Sequence, residues 1–143
     1  MFKTKSYHGT SPEIVSSILT HGISVSIGGG ELGQGFYTGE HLHEAKAWAY
    51  QKSKSKQNNV IEFEHNDEDI LSLDIIELNH GAANLKRSNI KKTNQTRVYL
   101  FNVDLVWSPI VGTDRVSGMQ YKWESSISES LLNCPTQTIK TVI

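Results

Sequence analysis

Five of the chain's 11 glycines, Gly28, Gly29, Gly30, Gly33 and Gly35, fall within eight positions directly ahead of Phe36-Tyr37-Thr38. Each glycine loses the most backbone freedom on ordering and offers no side chain to pack. The run reads as a turn, a place where backbone approaches a ligand or a neighbouring strand closely. It contains no Gly-Lys-Ser/Thr, which excludes a Walker phosphate loop, and its Gly-x-Gly is not set in a strand–turn–helix unit with a downstream acid.

On either side of the run the hydrophobic period assigns the elements. Thr10 or Ser11 can cap a helix that Pro12 and Glu13 open, with Ile14, Val15, Ile18 and Leu19 on one face and Gly22 as its stop. A second helix is predicted from near His41 to Lys52 on the spacing of Leu42, Ala45, Trp48 and Ala49, fraying into a solvated, lysine-rich tail at 52–59. The period then turns strand-like at Val60, Ile61 and Phe63 and again from Leu71 to Leu78. The segment from Leu85 to Arg97, with Lys86, Arg87, Lys91, Lys92 and Arg97, reads as an exposed loop. Extended character returns at 98–101 and 103–106, ended by Pro109 and Gly112, and at 119–123. A helix capped by Ser125 or Ser126 carries Ile127, Leu131 and Leu132 to Pro135, and Thr138 to Ile143 closes as a last strand. Helices early and late with strands in the middle, on connections of varied length and without a repeat, give an α+β fold rather than a doubly wound sheet.

A length of 143 residues suits one domain spanning 1–143, and 37% hydrophobic residues suffice for a core. Fourteen Lys and Arg against 15 Asp and Glu leave a net charge of −1, so no global field draws the chain to nucleic acid or an anionic membrane. No apolar run approaches the roughly 20 residues of a membrane span, and no apolar stretch follows the N-terminal lysines as in a secretory signal. A cytoplasmic location without membrane association is the expectation. One cysteine, Cys134, excludes an internal disulfide and a thiolate-cluster zinc site, and its setting is that of a half-buried structural thiol. His41 and His43, two apart, would point their rings away from each other on a helix and have no clustered third ligand.

Three segments carry chemistry: Tyr7-His8-Gly9-Thr10, Gly33-Gln34-Gly35-Phe36-Tyr37-Thr38, and the strand that holds Gln120. Singly, His8 reads as a satisfied structural histidine and Tyr37 as a strand aromatic. In this order, with the helix ending Thr20-His21-Gly22 between the first two and one bearing Ala45, Trp48 and Ala49 after them, they resemble the ADP-ribosyltransferase superfamily. The likeness is to its diphtheria-toxin and poly(ADP-ribose) polymerase branch, and within it to small bacterial members. It is dense over 7–49, moderate over 119–132, and a mere pattern of strands between.

The resemblance implies a split β-sheet core with flanking short helices, NAD as co-substrate, and transfer of ADP-ribose to a macromolecular acceptor, protein or nucleic acid, with release of nicotinamide. It implies a bacterial toxin or effector, with an antitoxin or immunity protein as a further partner. Carried over, His8 contacts the ribose, Gly9 offers backbone groups to the carboxamide, and Thr10 and Gly35 line the same site. Tyr37 stacks on the nicotinamide, and Trp48 either stacks on its other face or belongs to the core. The third catalytic position, usually glutamate, falls on Gln120; Glu124, about 13 Å further along an extended strand, substitutes only in another register. An amide can position a ribose hydroxyl but cannot be a general base, and it stabilises an oxocarbenium less than a carboxylate does. A module of the same fold that binds NAD or ADP-ribose with weak or no turnover is the alternative, and RNA 2′-phosphotransfer, which needs more cations near the site, ranks last.

Overall fold

The structure is a computed structural model that describes residues 3–113 and 116–143. In chain order the elements are β1 (Lys3–Gly9), α1 (Pro12–His21), β2 (Gly29–Gly30), β3 (Gly33–Gln34), β4 (Phe36–Gly39) and α2 (Leu42–Ser53). Then follow β5 (Val60–Asn66), α3 (Asp67–Leu71), β6 (Ile75–Glu77), α4 (His80–Lys92), β7 (Leu105–Pro109), β8 (Met119–Trp123), α5 (Ser126–Asn133) and β9 (Thr138–Val142). Seven strands form one mixed sheet in the order β6-β7-β8-β4-β1-β5-β9, with β6–β7 its parallel pair, and β2–β3 make a separate hairpin. The architecture is α+β. Among the described residues no helix is long and apolar enough to cross a membrane.

Alternation along the strands decides what each face of the sheet holds. On one face Phe36, Ile61, Phe63, Leu105 and Trp123 meet Val15 of α1 and Leu131 and Leu132 of α5 in the main core. The indole of Trp123, fully buried, donates to Thr38 Oγ1 at 3.0 Å, which satisfies the one polar atom that its burial would otherwise leave without a partner. On the other face Ala45 and Ala49 of α2 pack with Val60, Tyr7 and Leu42.

The caps behave as their chemistry requires. Ser11 accepts from the N–H of Ile14, Gly22 ends α1 at φ 84°, and Ser125 and Ser128 satisfy each other's backbone N–H groups at the start of α5. Several expectations are corrected. His41 and His43, expected to point apart, stack with ring centroids 5.3 Å apart, because His41 is the extended N-cap of α2 and not a helical residue. The stretch read as an exposed loop from Leu85 is helical through Lys92: Asn79 caps it by accepting from Ala82, and Ala83 and Ile90 bury a narrow stripe beneath its polar surface. Between Leu71 and Leu78 only Ile75–Glu77 is strand, because Asp67-Glu68-Asp69 opens the short helix that ends at Leu71. Residues 98–104 are irregular, and Glu124 accepts from the N–H groups of 101–103 in place of a strand partner. Of the α1 face, Val15 is buried and Ile18 packs on the core, whereas Ile14 and Leu19 are half exposed.

His65 is a titratable group of the core, beside the rings of Phe63 and Trp123. Thr138 Oγ1 donates to the carbonyl of Leu131 at 2.7 Å, so in its 2.9 Å contact with His65 Nδ1 it accepts, and the imidazole is the neutral Nδ1–H form. Nε2 has no partner among the described residues, and burial lowers the pKa to about 4. The unfolded chain then binds more protons than the folded one between pH 4 and 6.5, so stability falls as pH drops through that window. Urea unfolding of the wild type is expected to lose roughly 2–3 kcal/mol from pH 6.5 to pH 4. His65→Asn should remove a substantial part of that slope, and an unchanged slope would contradict the assignment.

Candidate active site

Strands β1, β4 and β8 lie side by side, which brings His8, Tyr37 and Gln120 onto three adjoining strands. The β1–β4 ladder consists of one pair, Tyr7 with Gly39, whereas β1–β5 runs for seven. Where the next hydrogen bond to β4 would form, His8 Nδ1 stands 2.6 Å from the carbonyl of Tyr37. A carbonyl only accepts, so the proton is on Nδ1 and the lone pair is on Nε2. Burial lowers the pKa of His8, and the Lys52 ammonium adds to the effect against the opposing hydrogen bond, so the ring is neutral at pH 7. Its face stacks on Phe36 with centroids 4.4 Å apart.

Gly9 follows at the end of β1. The bond from Thr10 N–H to Asn59 O, 2.9 Å, continues the alternation with β5, so the main-chain groups of Gly9 point the other way, toward β4. A Cβ on Gly9 would lie 2.1 Å from the carbonyl oxygen of Ala45, so only glycine lets β1 meet α2 this closely. Thr10 is buried.

Tyr37 and Gln120 share a face of the sheet, since Tyr37 pairs with Lys122 and Gly39 with Gln120. The His8 ring, on Phe36, lies toward the opposite face and meets the other two through the backbone of β4. The structure thus joins His8 to the backbone of Tyr37 at the break in the ladder and sets Gln120 one strand further along, without converging the three side chains on a single face.

The glycine run is the hairpin β2–β3, folded over Tyr37. The phenol donates to Gly33 O at 2.6 Å and accepts from Leu32 N at 3.1 Å. Burial raises its pKa far above the ordinary tyrosine value, so it remains a donor. Gly30 lies against the ring, where a Cβ would be 2.7 Å from Cζ, and one ring face is therefore covered. From behind, the 96–99 segment holds the hairpin: Thr96 O accepts from Gly30, Tyr99 O from Gln34, and Arg97 donates to Ile27 O. Gly33, at φ 99°, passes so close to the carbonyl of Tyr99 that a side chain has no room. Gly35 sits on Lys122 in the same way. The density of glycine is thus explained by packing.

Gln120 is 6% exposed, and its Nε2 donates to Glu31 Oε1 and to Pro109 O. Both partners are acceptors without hydrogens, so the orientation of the amide is fixed and both N–H groups are used. Only Oε1 remains for a ligand, and it can only accept, as a carboxylate oxygen would. Glu31, at the hairpin tip, also accepts from Val111 N at 2.9 Å and lies 3.7 Å from Arg87 Nε.

Glu124 is occupied elsewhere. Its carboxylate accepts from the N–H groups of Phe101, Asn102 and Val103 and pairs with the fully buried Lys122. Lys122, its pKa lowered by burial against the pull of Glu124, also donates to Tyr99 O and lies 4.8 Å from the Phe101 ring centroid. The Lys122–Glu124 pair fastens the 99–103 segment, and the 96–99 segment backs the hairpin.

Trp48 is not in the core. It is 57% exposed on α2 with the Lys52 ammonium 5.2 Å from its ring centroid, and the same ammonium acts electrostatically on His8. Glu31 and Lys52 were not legible as site residues. An acid at a turn and a lysine in a basic tail both look like solvated surface, and nothing local shows that Glu31 meets a residue 89 positions away. Compared with known proteins, the chain matches no protein-family model and no curated protein.

Glu124→Ala would strand the buried Lys122 charge and three N–H groups, and it is expected to cost about 3–5 kcal/mol in chemical denaturation. Gln120→Ala should cost far less. A loss below about 1 kcal/mol for Glu124→Ala would contradict its structural role.

Proposed function

We propose that the chain is an NAD-dependent ADP-ribosyltransferase that moves ADP-ribose to a macromolecular acceptor and releases nicotinamide. One observation carries the reading: His8 takes the place of a strand–strand hydrogen bond between β1 and β4, beside the backbone of Gly9 and next to the strand that holds Gln120. A sheet interrupted there by a polar ring offers main-chain groups and a neutral imidazole nitrogen at one place. This is what recognition of a carboxamide and a ribose hydroxyl requires.

In this reading NAD enters at the break. The carboxamide pairs with the main chain of Gly9, and the nicotinamide stacks on the Tyr37 ring face away from Gly30. The ribose hydroxyls bond His8 Nε2 and Gln120 Oε1. The flat pyridinium cation is attracted by aromatic faces, and exposed Trp48 is available as the second one. Cleavage of the C1′–N1 bond sends its electron pair to the nicotinamide nitrogen and leaves an oxocarbenium at C1′. The acceptor's nucleophilic atom then forms its bond to C1′ and loses its proton to water or to a base of the acceptor. Gln120 takes no proton, so the acceptor must be nucleophilic already or activated by its own surroundings. The proposed setting is a bacterial toxin or effector acting in the cytoplasm, with an antitoxin or immunity protein as an inhibitory partner.

The hairpin over Tyr37 favours a second reading, an NAD-binding module of the same fold that turns over slowly or not at all. Incubation with NAD separates the two. The enzyme is expected to release nicotinamide, Tyr37→Ala to abolish release, and His8→Ala to weaken NAD binding at least about tenfold, the effect of one lost hydrogen bond. Tight binding without release would favour the module, and absence of both would overturn the assignment.

A further inference from the structure

The carboxylate that the third catalytic position lacks stands beside it, on another element. Glu31 reaches Gln120 from the tip of the β2–β3 hairpin, and its side chain is only 15% exposed. It accepts from the Gln120 amide and from Val111 N, and Arg87 approaches its second oxygen. Pro109 O takes the other hydrogen of the amide. A charge held against an amide in a poorly solvated site polarises it, drawing positive charge to Nε2 and leaving Oε1 more negative.

We propose that Glu31 and Gln120 act as one anionic unit, in which Glu31 is the positioning residue that fixes the amide as a pure acceptor and supplies the negative charge. This inference rests on the ADP-ribosyl-transfer reading. Gln120 Oε1 holds the ribose hydroxyl, and the charge of Glu31, passed through the amide, opposes the positive charge that develops at C1′ as the bond to nicotinamide breaks. The hairpin tip thereby becomes part of the site. A glutamine at the third position is compatible with turnover as long as the hairpin is docked.

The test is a double-mutant cycle on nicotinamide release from NAD, using the full chain. Glu31→Gln keeps an acceptor for Val111 and for Gln120 but removes the charge. It is expected to lower kcat by roughly 10²-fold, the scale of one lost electrostatic contact in a transition state. KM should change little. Adding Gln120→Glu to Glu31→Gln returns the charge to the other side of the same hydrogen bond and is expected to recover at least about tenfold. Gln120→Glu alone sets two carboxylates against each other and should be slower than the double variant. A merely structural Glu31 would move the unfolding midpoint and would not be rescued. Wild-type kcat in Glu31→Gln, or a double variant no faster than Glu31→Gln, overturns the inference and leaves the transfer reading standing. A wild type that releases no nicotinamide overturns both.

Discussion

The hydrogen bond between His8 Nδ1 and the Tyr37 carbonyl is the contact on which the site depends. It replaces a rung of the sheet with an imidazole, stops the β1–β4 ladder after Tyr7 and Gly39, and fixes the tautomer that leaves Nε2 as an acceptor. Everything else in the site is arranged around that break. Gly9 lets α2 close one side, and β4 carries Tyr37 and Phe36 to opposite faces of the sheet. Strand β8 presents Gln120 one strand further along. Burial keeps the ring neutral, so the break is held by a hydrogen bond rather than by an ion pair that salt would screen.

Around this centre, polar groups are used in chains. Lys122 and Glu124, both buried, hold the 99–103 segment; the adjoining 96–99 segment holds the hairpin; the hairpin carries Glu31 to Gln120 and lays Gly30 on Tyr37. Each link is a hydrogen bond or close packing between elements far apart in sequence. The covering of Tyr37 is therefore a property of the whole middle of the chain rather than of the glycines alone.

Much of the fold could be read directly. Ser11, Gly22, Ser125 and the strand periods near Val60 and Met119 mark their elements because the signals are local: a cap, a positive φ, an alternation. The helix over His80–Lys92 was hidden because its buried stripe is only Ala83 and Ile90 among polar neighbours, too narrow to register as a period. The residues of the candidate site were legible as segments, since Tyr7-His8-Gly9 and Gly35-Phe36-Tyr37 carry their own pattern. Their geometry was not. That Trp48 faces solvent, that Glu124 is spent on three backbone N–H groups and that Glu31 meets Gln120 are products of tertiary packing, which no local window contains.

In the proposed transfer one dinucleotide meets His8 and Tyr37 at the break in the sheet and Gln120 on the strand beyond β4. A crystal structure with a hydrolysis-resistant NAD analogue tests it most directly. The nicotinamide is expected on the Tyr37 ring face away from Gly30, its carboxamide on the main chain of Gly9, and ribose hydroxyls on His8 Nε2 and Gln120 Oε1. An analogue bound elsewhere, with no ligand atom in contact with any of these three side chains, would contradict it.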